Sequence, residues 1–188
     1  MSYEHVPGPR FYEYDKKYLI WCCCKKAHVR TLTPIVTVML IFAGLFNLSL
    51  SVIRGNTSRA IAVAIHLIII MFLVLALFSG TACLLLVFMA WTLLGLIMSS
   101  VLCVIAIGAA FCAKEDNLEF YVDCFERIGL SSLPEGMTLR KYVYLIGVAF
   151  MIASLIQYWL LSLSRKTYKY LKDSQAAAKI PEVIMTQM

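Results

Sequence analysis

From Ala60 to Ala113 the chain runs for 54 residues without one Asp, Glu, Lys, Arg or Tyr; apart from cysteines, His66 is its only titratable group. No soluble fold of ordinary size accommodates such a stretch. About 20 predominantly apolar residues cross the ~30 Å of bilayer hydrocarbon as a helix, so this run is too long for one crossing and suits two. The break falls best at Ser79-Gly80-Thr81, because glycine and small hydroxyl residues form turns. Two spans are therefore expected at about 60–78 and 83–112. An uncharged run at 33–53 supplies another, set off by the six-residue loop RGNTSR. A fourth is expected at 142–163, where Tyr142, Tyr144, Tyr158 and Trp159 stand near its two ends as an interfacial aromatic belt.

Composition points the same way. Of the 188 residues, 61% are hydrophobic and 15% charged, with a mean hydropathy of +0.81. A small soluble domain has too little interior to hide that much apolar surface. The expected fold class is all-α, an integral membrane four-helix bundle. Its parts are a juxtamembrane segment 1–32, a transmembrane region 33–163 with a longer loop at 113–141, and a tail 164–188.

An even number of spans puts both ends on one side. The end segments hold eleven Lys/Arg and the connecting loops 54–59 and 113–141 hold six. Excess positive charge marks the cytoplasmic side, so both termini are expected in the cytosol and the 113–141 loop outside or in a lumen. The net charge of +6 then reflects sidedness and affinity for anionic lipid; a nucleic-acid partner is not expected. The start of the chain is polar, so the first span is expected to act as its own insertion signal.

Several groups are candidates for chemistry. Cys22, Cys23 and Cys24 stand among lysines just before the first span. Adjacent cysteines point apart and only His28 lies near, which disfavours a zinc tetrahedron. Juxtamembrane position favours S-palmitoylation, with an unmodified interfacial cluster as the alternative. Cys112 and Cys124 fall on the opposite, oxidising side, either joined in a disulfide or packed separately. Asn47 lies six residues before the end of the first span and His66 six residues into the second, at matched depth. Polar groups in hydrocarbon seek partners, so an Asn47–His66 hydrogen bond across this helical hairpin is expected. Proton sensing by His66 is the functional alternative. Asn56-Thr57-Ser58 has the glycosylation pattern but sits close to the membrane. In the tail, Tyr168 to Leu171 fits a tyrosine-based sorting pattern that a clathrin adaptor would read, and Thr186-Gln187-Met188 resembles a PDZ ligand. The metalloprotease, serine-hydrolase, P-loop and dinucleotide patterns do not occur. Neither enzymatic activity nor a cofactor is expected.

The run CCCKKAHVRTLTPIV resembles the entry to the first span in the lysosome-associated protein transmembrane (LAPTM) family, where a Cys-rich stretch leads into His-Val-Arg-Thr; here these are His28, Val29, Arg30 and Thr31. The family continues with Gly-Thr and carries Pro-Pro-x-Tyr motifs in its tail. This chain has Leu32-Thr33 and no such motif, so it is more similar to the small invertebrate tetraspans related to that family, such as the pasiflora proteins. The resemblance implies lateral association with other membrane proteins and support of septate-junction assembly at the plasma membrane and its recycling vesicles. The alternatives are endolysosomal sorting and, more remotely, small-molecule transport.

Overall fold

The computed structural model describes residues 16–22, 25–127 and 136–185. A short 3-10 turn, Lys16–Tyr18, leads into two antiparallel strands, β1 (Leu19–Cys22) and β2 (Lys25–His28), with Leu19 opposite His28 and Cys22 opposite Lys25. Five helices follow: α1 (Val29–Ile53), α2 (Thr57–Ser79), α3 (Ala82–Cys112), α4 (Glu115–Arg127) and α5 (Leu139–Met185). Helices α1, α2, α3 and α5 are long and apolar enough to cross a membrane. Most of their surface faces outward: Phe42, Phe46, Phe78 and Phe111 are all more than 60% exposed, as side chains solvated by lipid tails can be.

Several helix boundaries have a local cause. His28 caps α1, its Nδ1 accepting from the Arg30 N–H at 3.2 Å. Asn56 caps α2, its Oδ1 accepting from the Arg59 N–H at 3.0 Å. The turn between α2 and α3 is the Ser79-Gly80-Thr81 break expected from the sequence. Gly80 takes φ +66° there, a left-handed conformation that costs glycine nothing. At the far end of α3, Arg140 donates to the carbonyl oxygens of Ala110 and Ala113 at 3.3 and 3.2 Å, a cation on orphan C-terminal carbonyls.

The bundle is stitched in the order α1–α2–α3–α5, and α1 returns to α5 at the end that carries β1 and β2. The α3–α5 contact is the most extensive. Small residues bring the two helices close there: Ala106 and Ala110 are buried, and a Cβ on Gly147 would lie 2.7 Å from Ile107 Cγ1. Small residues let helices approach closely where no hydrophobic effect drives them together.

Two elements differ from expectation. The 113–141 loop contains α4, an amphipathic helix whose Leu118, Val122 and Phe125 pack against Ala106, Ala109, Tyr142, Val143 and Ile146, while Glu119, Phe120 and Asp123 are exposed. The fourth span does not end as a helix at Leu163. Arg165 and Lys166 end the apolar run, yet charge does not break a helix, and α5 continues as one element to Met185.

Candidate functional site

Polar side chains collect in two places, one inside the bundle and one at the end where β1 and β2 meet α5.

Within the bundle, His66 does not meet Asn47. The Asn47 amide donates back to the Ala43 carbonyl of its own helix at 2.9 Å, whereas His66 Nδ1 accepts a hydrogen bond from the Trp91 indole N–H on α3 at 3.0 Å. Matched depth fixes position along the helix axes and says nothing about direction around them. An amide can satisfy itself on the preceding turn, and α2 turns His66 toward α3. Trp91 could have been suspected from sequence, since an indole N–H deep in a span needs an acceptor. A second group links α3 to α5. Ser99 Oγ lies 2.9 Å from Ser154 Oγ and donates to Gln157 Oε1 at 3.1 Å. The Gln157 amide rests on the bare backbone of Gly95, where a Cβ would come within 3.0 Å of Gln157 Nε2. Beside these groups lies a cavity of about 310 Å³ to which all four long helices contribute, through Leu40, His66, Trp91, Gly95, Met98 and Gln157 among others. His66 is the tenth of the 23 residues of α2, so the cavity is at mid-span.

At the terminal end, the first and last parts of the described chain form one body. Tyr18 has no exposed surface, and its hydroxyl donates to Asp173 Oδ2 at 2.6 Å. Lys17 pairs with the same carboxylate at 3.2 Å. Lys166 donates to the Leu19 carbonyl. The rings of Tyr18, His28 and Tyr170 meet edge to face, with centroids 5.2 to 5.9 Å apart. Deeper in, Thr33 and Thr167 join α1 to α5 through a buried hydroxyl pair at 2.8 Å. Since Thr167 donates to the Leu163 carbonyl, Thr33 supplies the shared proton. Gln175 reaches the Gly80 carbonyl at 2.7 Å, so the α5 extension also braces the α2–α3 turn. Burial, then the bond to Asp173, holds the Tyr18 phenol above its usual value of 10.0; the Tyr18 hydrogen bond holds the Asp173 carboxyl below its usual 3.8.

The other expected residues distribute as follows. Cys22 ends β1, while Cys23 and Cys24 lie outside the described residues, as do Thr186, Gln187 and Met188. In the His28–Thr31 motif, His28 is the α1 cap and packs on Tyr18, Val29 is fully buried, and Arg30 and Thr31 are exposed. The tail is not an exposed peptide at Tyr168 and Leu171. Both are on α5; Tyr168 packs on the cluster of Ile70, Leu73 and Leu85, and Leu171 is 8% exposed. Cys112 and Cys124 are both exposed free thiols, so no disulfide joins them. The reason is α4: it buries the stripe 118, 122 and 125, which leaves Cys124 on its outer side. Among the described residues no three His, Cys, Asp or Glu converge as a metal ion would require.

The fold and its apolar surface define a multi-pass α-helical membrane protein, with four helices among the described residues long and apolar enough to cross the bilayer. No family model, curated protein or solved structure matches the chain.

Proposed function

We propose that this is a non-catalytic membrane protein of the plasma membrane, both ends cytosolic, that gathers other membrane proteins laterally and supports the assembly of septate-type cell junctions. The observation that carries this reading is the terminal body. A strand pair from one end of the chain is fixed to a helical extension from the other, which exposes Arg165, Lys169 and Lys172 just beyond the last apolar run. Such a surface suits recruitment of neighbouring proteins and has no obvious use in chemistry. The excess of Lys/Arg on the end segments supports its cytosolic placement, and the resemblance of the His28–Thr31 entry to LAPTM-related tetraspans supports the junctional role. Acylation of Cys22, Cys23 or Cys24 would anchor this body to the inner leaflet, one chain plus a basic patch being sufficient.

The endolysosomal alternative draws on the Tyr168–Leu171 pattern. An adaptor reading this pattern as an extended peptide would have to unwind α5 and expose Leu171, which counts against it. Imaging the tagged protein in a barrier epithelium against junction and lysosome markers separates the two. Junctional residence with a barrier defect on deletion is the expected result; residence confined to lysosomes overturns the reading.

A further inference from the structure

The mid-span cavity has a chemistry of its own, independent of the junctional role. About 310 Å³ is at the lower end of the ~300–1,000 Å³ of small-molecule sites. Its walls are mostly apolar, with Leu40, Phe88, Met98 and Leu160 among them. Four polar side chains interrupt them; the Trp91 N–H is spent on His66 and the Thr92 hydroxyl proton on the Phe88 carbonyl, which leaves His66 and Gln157 as the groups with N–H to offer. His66 Nδ1 accepts from Trp91, so the imidazole is neutral and its proton sits on Nε2. Gln157 Oε1 faces the Ser99 hydroxyl, whose one proton it shares with the Leu96 carbonyl and Ser154, and its amide N–H groups point elsewhere. Neither His66 Nε2 nor Gln157 Nε2 has a protein partner among the described residues, and neither is sealed from a water-sized probe. The cavity therefore presents two N–H donors, on His66 and Gln157, that no protein acceptor answers among the described residues. In hydrocarbon an unanswered N–H is costly, and a charged guest would forfeit its hydration. Leu94 and Met98 line the cavity and are about half-exposed, so it is not sealed inside the bundle.

We propose that this cavity binds a small, neutral, largely apolar molecule that enters from the membrane and presents a carbonyl oxygen (ketone, ester or amide) to the N–H groups of His66 and Gln157. Gly95 is the residue that makes room, because a side chain there would displace the Gln157 amide.

Benzophenone is a suitable probe: it is neutral and apolar, carries one ketone, and on irradiation inserts into nearby C–H bonds. The full chain in lipid nanodiscs is irradiated with increasing benzophenone and the adducts are mapped by mass spectrometry. Saturable labelling of Leu94, Met98 or Leu160 is expected. Excess dicyclohexyl ketone should displace it about tenfold better than dicyclohexylmethane, which has the same body without the acceptor, since a net hydrogen bond is worth roughly that factor. The His66→Phe/Gln157→Leu double variant should lose the cavity adducts while labelling of lipid-facing Phe42 and Phe46 persists. The competition on the unaltered protein needs no variant and stands alone. Labelling that never saturates, or displacement by the hydrocarbon as effective as by the ketone, overturns the proposal and leaves a cavity that holds only water or lipid tails.

Discussion

At the scale of single residues, the energetics of the bundle turn on hydrogen bonds that water cannot replace. Removing the Trp91 donor leaves His66 Nδ1 without its partner. Trp91→Phe should therefore destabilise the bundle by about 1–2 kcal/mol, in the range of hydrogen bonds between membrane helices. A double-mutant cycle with His66→Leu should show coupling, whereas Asn47→Leu and His66→Leu should be additive; reversible unfolding in bicelles measures both. The Tyr18–Asp173 bond has a different signature. The Asp173 carboxyl is lowered by that bond, so its contribution is complete above the ordinary carboxylate value and is lost as pH falls through the lowered one. The Tyr18 phenol is raised by burial, so its contribution is complete below 10.0 and is lost as pH rises through the raised value. The contribution of this bond to the docking of β1 and β2 should consequently be flat across the neutral range and be lost only at the two extremes. Asp173→Ala should release the strands at neutral pH, read as faster tryptic cleavage after Lys25 and Lys26.

At the scale of elements, the spans were legible and their facing was not. Long uncharged runs, Arg54 and Arg59, and Gly80 marked three helices to within a few residues. The same hydropathy could not orient His66 around α2, because a helix that is apolar on every side carries no stripe to show which face is inside. The continuation of α5 was hidden for a related reason: hydropathy reports where lipid ends, while Lys, Leu, Gln and Ala beyond Leu163 are all good helix formers. Helix α4 could have been found from the spacing of Leu118, Val122 and Phe125. The α3–α5 seam yields a direct test. With Ile107 Cγ1 2.7 Å and the Ile107 backbone N 3.3 Å from a Cβ on Gly147, Gly147→Ala should cost about 1–3 kcal/mol by overpacking. Gly108, with open space around its own would-be Cβ, is the matched control, and its alanine variant should be close to neutral.

At the scale of the whole molecule, the strand pair and the α5 extension occupy the same end of the bundle, so tags on both termini should respond alike. In sealed vesicles with the cytosolic face outward, protease should remove both tags without detergent; protection of either would reverse the proposed sidedness. Substituting all three of Cys22, Cys23 and Cys24 by Ser should abolish acyl-biotin exchange signal if the cluster is acylated, and an unchanged signal would show that it is not. The Tyr18–Asp173 bond also has a meaning in time. Its partners are separated by 155 residues, and ribosomes add about 5–20 residues per second. For roughly 8–30 s after Tyr18 is made, the segment that will dock has nothing to dock on. Under the proposed sidedness, that interval is the one in which acylation of the cysteines would meet least obstruction. The clasp then closes only when the last helix has been delivered to the correct side, which makes it a record, written in the finished protein, that every crossing was completed.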